Sequence, residues 1–169
     1  MNNFLFRIIP LLICLHAAAS MAAPENALIP ADKDPVVLIA GDIAQCNVRG
    51  AQLTADVIQK MPDAIVLAPG DLAYENGSAK DFAHCYDPFW GKFKERTWPA
   101  PGNHEYGTPG ATGYFSYFGS RVGDPDKGYY SVNIGQWHIV ALNSNIDVDV
   151  DSAQVAWLRK DLAANAGSC

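Results

Sequence analysis

Hydrophobic and polar positions divide the chain into alternating segments. Val36-Val37-Leu38-Ile39-Ala40 is an unbroken apolar, β-branched run that ends in Gly41-Asp42. Runs of this kind mark strands buried on both faces. Residues 50–61 place Leu53, Val57, Ile58 and Met61 at helical spacing and stop at Pro62. Ala64-Ile65-Val66-Leu67-Ala68 repeats the strand pattern and ends in Pro69-Gly70-Asp71. A strand–helix–strand order of this length predicts a parallel pair with a right-handed crossover. One or two helices are expected around residues 78–93, after which Trp98-Pro99-Ala100 leads into Pro101-Gly102-Asn103-His104-Glu105. Residues 106–128, rich in glycine and aromatics, read as a long irregular loop. Tyr129–Ile134 and Gln136–Leu142 form a hairpin across Gly135, and Asp151 or Ser152 caps a last helix carrying Val155, Leu158 and Leu162. The only repetition along the chain is that of the two strand-to-Gly-Asp junctions.

Composition and charge narrow the classes. The 169 residues suit one domain, and 18 acidic against 12 basic residues give a net charge of −6. That balance argues against a nucleic-acid partner. Met1–Ala22 reads as a secretory signal: Arg7 supplies the positive start, Ile8–Leu15 the apolar stretch, and Ser20-Met21-Ala22 the small residues before a cut. The apolar stretch is shorter than the ~20 residues a spanning helix needs. The expected product is therefore secreted or periplasmic, with no membrane span. Residues 23–35 form an extended, proline-rich lead-in, and residues 36–169 the folded part. In an oxidising compartment Cys46 and Cys85, each on a loop after a Gly-Asp motif, are candidates for a disulfide; Cys169 has no evident partner.

Candidate chemistry gathers at the strand ends. Ala40-Gly41-Asp42, Gly70-Asp71-Leu72-Ala73-Tyr74 and Gly102-Asn103-His104-Glu105 each place a polar donor just past the carboxyl end of a predicted strand or the segment leading from it. Open α/β sheets bind ligands on that rim. A Gly-Asp pair alone is more often a turn, but three such motifs in succession are not a common coincidence. Two carboxylates, a phenol and an amide are hard oxygen donors suited to Fe, Mn or Zn. A shared carboxylate can hold two ions ~3.5–4 Å apart, as two-metal hydrolysis requires.

The ordered set Gly-Asp, Gly-Asp-x-x-Tyr and Gly-Asn-His-Glu resembles the calcineurin-like metallophosphoesterase superfamily, and within it the purple acid phosphatase branch. The likeness runs from about Val36 to Ala164 and includes Tyr86-Asp87-Pro88-Phe89-Trp90-Gly91 and the Trp157-Leu158 helix. The first motif departs from the branch's Asp-x-Gly by one small residue, since it reads Asp42-Ile43-Ala44.

The resemblance implies an α/β fold of the α/β/β/α type, a β-sandwich flanked by helices. It also implies hydrolysis of a phosphate ester by a metal-bound hydroxide at a dinuclear site, the two metal ions being Fe, Zn or Mn. Asp42 would bind the first metal, Asp71 would bridge both, Tyr74 would complete the first shell and Asn103 would bind the second metal. His104 would act as the catalytic residue beside the phosphate, and Glu105 would sit behind the ligands. His84 and His138 match no motif. The family's two later histidine motifs are not among these 169 residues, so the sequence reads as the N-terminal part of such a domain, with the C-terminal part missing. By itself it is expected to hydrolyse little. Two other readings stay open: a non-catalytic exported module binding a partner or a single metal, and specificity for phosphodiesters or nucleotides.

Overall fold

The computed structural model of the chain describes residues 35–167. The signal segment, nearly all of the lead-in and Cys169 lie outside the described residues. Three strands, β1 (Val37–Ile39), β2 (Ile65–Pro69) and β3 (Thr97–Ala100), form a parallel sheet in the order β1-β2-β3. Leu38 pairs with Val66, and Leu67 with Trp98. Helix α1 (Gly50–Ile58) makes the first crossover. The second runs through a near-continuous helical stretch: α2 (Ala79–Asp81), a π turn (Phe82–Tyr86), α3 (Asp87–Trp90) and a 3-10 turn to Arg96. Ser78 starts it with a capping box, its hydroxyl accepting from the Asp81 amide while the Asp81 carboxylate accepts from the Ser78 amide.

β2 alternates between two layers. Val66 and Ala68 face a helical side filled by Phe82, Tyr86, Trp90, Phe93, Tyr114 and Phe118, whereas Ile65 and Leu67 face a two-stranded antiparallel ribbon. That ribbon is β4 (Tyr130–Ile134) and β5 (Trp137–Ala141), and Ile134, Val132 and Ile139 cover Ile65 and Trp98. The β-strand layers are thus two sheets face to face with helices outside the parallel one, an α/β arrangement.

Four expectations need correction. β1 is not buried on both faces: Leu38 packs against the helical core, but Ile39 is 67% exposed. β1 is an edge strand, and the ribbon's apolar side chains pack against Ile65 and Leu67 of β2 and Trp98 of β3. The inward stripe of α1 is Ala51, Ala55 and Ile58, while Leu53 and Val57 face outward. Small residues are needed there because the Trp90 indole lies against the helix, donating to the Ala51 carbonyl and the Thr54 hydroxyl.

Residues 106–128 are not an irregular loop either, since α4 (Thr112–Phe118) lies within them. Its aromatics recur at helical spacing, and Tyr114 and Phe118 are buried. Gly113 lets α4 sit directly on residues 77–79, where a Cβ would collide with the Gly77 carbonyl. Finally, Ser152, one of the two expected caps, does start α5 (Ala153–Ala164), but Leu162 is exposed rather than packed inward. The buried anchor of α5 is instead Gln154, which accepts from the Asn143 amide and donates to the Asn143 carbonyl, at 2.7 and 3.0 Å.

Candidate metal centre

The parallel ladder continues past the strand ends and carries the first two motifs side by side. The amides of Asp42, Ile43 and Ala44 donate to the carbonyls of Gly70, Asp71 and Leu72, and the Tyr74 amide donates to the Ala44 carbonyl. Both Asp42 and Asp71 have φ of +52°, in the left-handed region that aspartate tolerates better than most residues. Each thereby turns at the end of its strand. Gly70, at φ +83°, lets the third motif approach: a Cβ there would be 3.2 Å from the Gly102 Cα. The Gly70 amide donates to the Ala100 carbonyl, so β3 feeds Gly102-Asn103-His104 onto the same rim.

Side chains meet across the three motifs. The Tyr74 hydroxyl donates to Asp42 Oδ1 at 2.5 Å. The His104 amide donates to Asp71 Oδ1 at 3.0 Å, and the His104 ring lies 4.4 Å from that of Tyr74. His104 Nδ1 donates to the Glu75 carbonyl at 2.5 Å. Gln45 Nε2 reaches Glu75 Oε1 at 3.2 Å, another tie between the first and second motifs. Asn103 starts the same loop and is exposed, its carbonyl accepting from the Gly107 amide. Cys46 and Cys85 are joined by a disulfide with Cα atoms 4.7 Å apart, fastening the loop after Asp42 to the π turn.

Glu105 is the residue whose weight the sequence left open. It is fully buried, and its two oxygens accept from four backbone amides: Asp71 and Gly102 on Oε2, Leu72 and Ala73 on Oε1, at 2.8–3.2 Å. A glutamate directly after the histidine was the available signal, but nothing local shows that it folds back under the second motif. Burial raises the Glu105 pKa above its ordinary value; the amide hydrogen bonds from Gly102, Ala73 and Leu72 oppose this, and the Asp71 charge adds to it.

Negative charge dominates the cluster. Burial, the hydrogen bond to Asp42 and the charges of Asp42, Asp71 and Glu105 all push the Tyr74 phenol well above its ordinary range. The hydrogen bond to the Glu75 carbonyl raises the His104 pKa, burial opposes it, and Asp71, Glu75 and Glu105 add to the rise. Such a set of oxygen donors fits a hard cation, which would relieve the crowding of like charge. Among the described residues no three His, Cys, Asp or Glu side chains gather closely enough to hold an ion by themselves. The side-chain oxygens that the hydrogen bonds place on this rim are those of the Asp42 and Asp71 carboxylates and the Tyr74 phenol. His84 is exposed on the π turn, and His138 is on the ribbon, bonded to Asn133 Oδ1 and Asp161 Oδ2. Neither belongs to the rim.

Residues 15–161 match the family model described as calcineurin-like phosphoesterase. The chain belongs to the calcineurin-like phosphoesterase family. Among its relatives, purple acid phosphatase 15 of Arabidopsis thaliana is 30% identical over 158 residues, an overlap covering 75% of this chain and 29% of that protein. Purple acid phosphatase 18 of the same plant is 32% identical over 148 residues, covering 79% and 32%. A purple acid phosphatase from yellow lupin (Lupinus luteus) seeds has a similar structure, with a TM-score of 0.64 at 20% identity over 80% of this chain and 29% of that one. This likeness supports the shared metallophosphoesterase fold. The chain spans about a third of the length of the curated relatives it matches. Among the described residues no helix is long and apolar enough to cross a membrane.

Proposed function

We propose that the chain carries the first part of an exported, metal-dependent phosphoesterase acting on phosphate esters. Asp42, Asp71, Tyr74 and Asn103 would be its oxygen ligands to two ions drawn from Fe, Zn and Mn. The observation that carries the reading is the convergence of the three motifs on one rim, with the Tyr74 phenol on the Asp42 carboxylate and the His104 amide on the Asp71 carboxylate. Bound metal would supply Lewis acidity toward a phosphoryl oxygen and neutralise its charge. This chain's own residues do the rest. Asp71, whose backbone lies between the first and third motifs, would be the carboxylate shared by the two ions. His104, held through Nδ1, would present its other ring nitrogen to the ester and hold a proton for the departing oxygen. Export is supported by Arg7 followed by the apolar Ile8–Leu15 and the small residues before Ala23.

The test is binding of Mn²⁺ to the 169-residue chain, followed by calorimetry or paramagnetic resonance, with hydrolysis of an aryl phosphate in parallel. Wild-type chain should bind the ion, and Asp71→Ala should lose that binding. Because the donors here lack imidazoles, turnover by this stretch alone should be slight. An affinity unchanged by Asp71→Ala would remove the assignment.

A further inference from the structure

We infer that Glu105 is a positioning residue that sets the orientation of Asp71, a role that rests on the reading of Asp71 as a metal ligand. Its carboxylate is a buried template on which the loop after β2 is wound. Oε2 takes the amides of Asp71 and Gly102, and Oε1 those of Leu72 and Ala73. One anion thus fixes three consecutive amides of the second motif and the glycine that opens the third.

The surroundings are shaped for it. Gly77 passes so close that a Cβ would collide with the Glu105 Cα, and the Gly77 amide closes the turn onto the Ala73 carbonyl at 2.8 Å. Gly102, held by Oε2, lies against Asp71 in turn. Asp71 sits at φ +52°, a conformation that needs outside support in a residue with a side chain. With its own amide fixed by Glu105 and its Oδ1 fixed by the His104 amide, the carboxylate has one defined direction. Charge-assisted hydrogen bonds are the strong kind, and removing such an outer support commonly weakens metal binding about 10- to 100-fold.

Glu105→Gln separates this role from packing. Glutamine fills the same volume, but it replaces one of the two oxygens with an NH₂ that cannot accept, so one pair of amides loses its acceptor. The experiment compares wild type and Glu105→Gln in the full 169-residue chain by three readings: denaturant midpoint, amide hydrogen exchange, and Mn²⁺ affinity. The expected result is a folded variant with faster exchange at two or more of Asp71, Leu72, Ala73 and Gly102, and Mn²⁺ affinity lowered about 10- to 100-fold.

A lowered midpoint with unchanged Mn²⁺ affinity would make Glu105 a purely structural anchor and overturn the inference. If the glutamine variant fails to fold, Glu105→Asp, too short to reach all four amides, takes its place in the comparison. In wild-type protein the same four amides should exchange as slowly as those of β2. Exchange at the rate of an exposed loop would also overturn the inference. Failure of the wild-type chain to bind Mn²⁺ would instead overturn the ligand reading, and the exchange data alone would then decide whether Glu105 templates the loop.

Discussion

Gly102 lies against Asp71 so closely that a Cβ would collide with the Asp71 carboxylate and amide, whereas Gly50 has open space around it. Identical Gly→Ala substitutions should therefore act in opposite directions. Gly102→Ala should cost about 1–3 kcal/mol, as overpacking does, and push Asp71 out of its orientation. Gly50→Ala, at the first position of α1, should be neutral or stabilising by up to about 1 kcal/mol. Urea midpoints and Mn²⁺ titration of the two variants check this, and a Gly102→Ala protein with wild-type affinity would show that Asp71 does not depend on that close approach.

Two elements converge on one atom at the edge of the parallel sheet. Tyr114 from α4 and Tyr130 from β4 both donate to the Pro99 carbonyl, at 3.0 and 2.7 Å. β3 is an outer strand, so this carbonyl would otherwise lack a partner on that side. Burial raises the pKa of both phenols, which for Tyr130 is partly opposed by Arg121. A phenol whose folded pKa exceeds its unfolded value of about 10 holds its proton more firmly in the folded state. Its contribution to stability is complete below about pH 10 and is lost as pH rises further. In a spectrophotometric titration these two tyrosines should stay protonated in the native chain and ionise only on alkaline unfolding. Seven phenolates appearing near pH 10 with the fold intact would contradict this.

At the scale of the molecule, the disulfide is the longest-range covalent constraint among the described residues. It joins residues 39 positions apart and ties the loop following Asp42 to the helical layer. Closing a loop of that length restricts the unfolded chain, an effect of about 4 kcal/mol in the chain-entropy account. Reduction should lower the denaturation midpoint accordingly, with the largest gain in hydrogen exchange at residues 43–49. An unchanged midpoint after verified reduction would mean that the packing of Ile43 and Ala44 in the core holds this loop without the bond.

Some of this was legible in the residues alone. The continuous apolar runs located β1 and β2 and their parallel pairing, because backbone preference and the strand–helix–strand order are local facts. The Gly-Asp, Gly-Asp-x-x-Tyr and Gly-Asn-His-Glu motifs named the rim, because the strand-end position and the donor chemistry are both written in sequence. Composition misled where packing decides. Glycines among aromatics at 106–128 suggested a loop, yet α4 forms there because Tyr114 and Phe118 find a core to fill and Gly113 lets the helix in. Apolar character at Leu53 and Val57 suggested an inward face, but the bulk of Trp90 selects the alanines instead. The burial of Glu105 under a motif more than thirty residues earlier was decided only in three dimensions, since a carboxylate's acceptors are matched by amides that the chain brings together on folding.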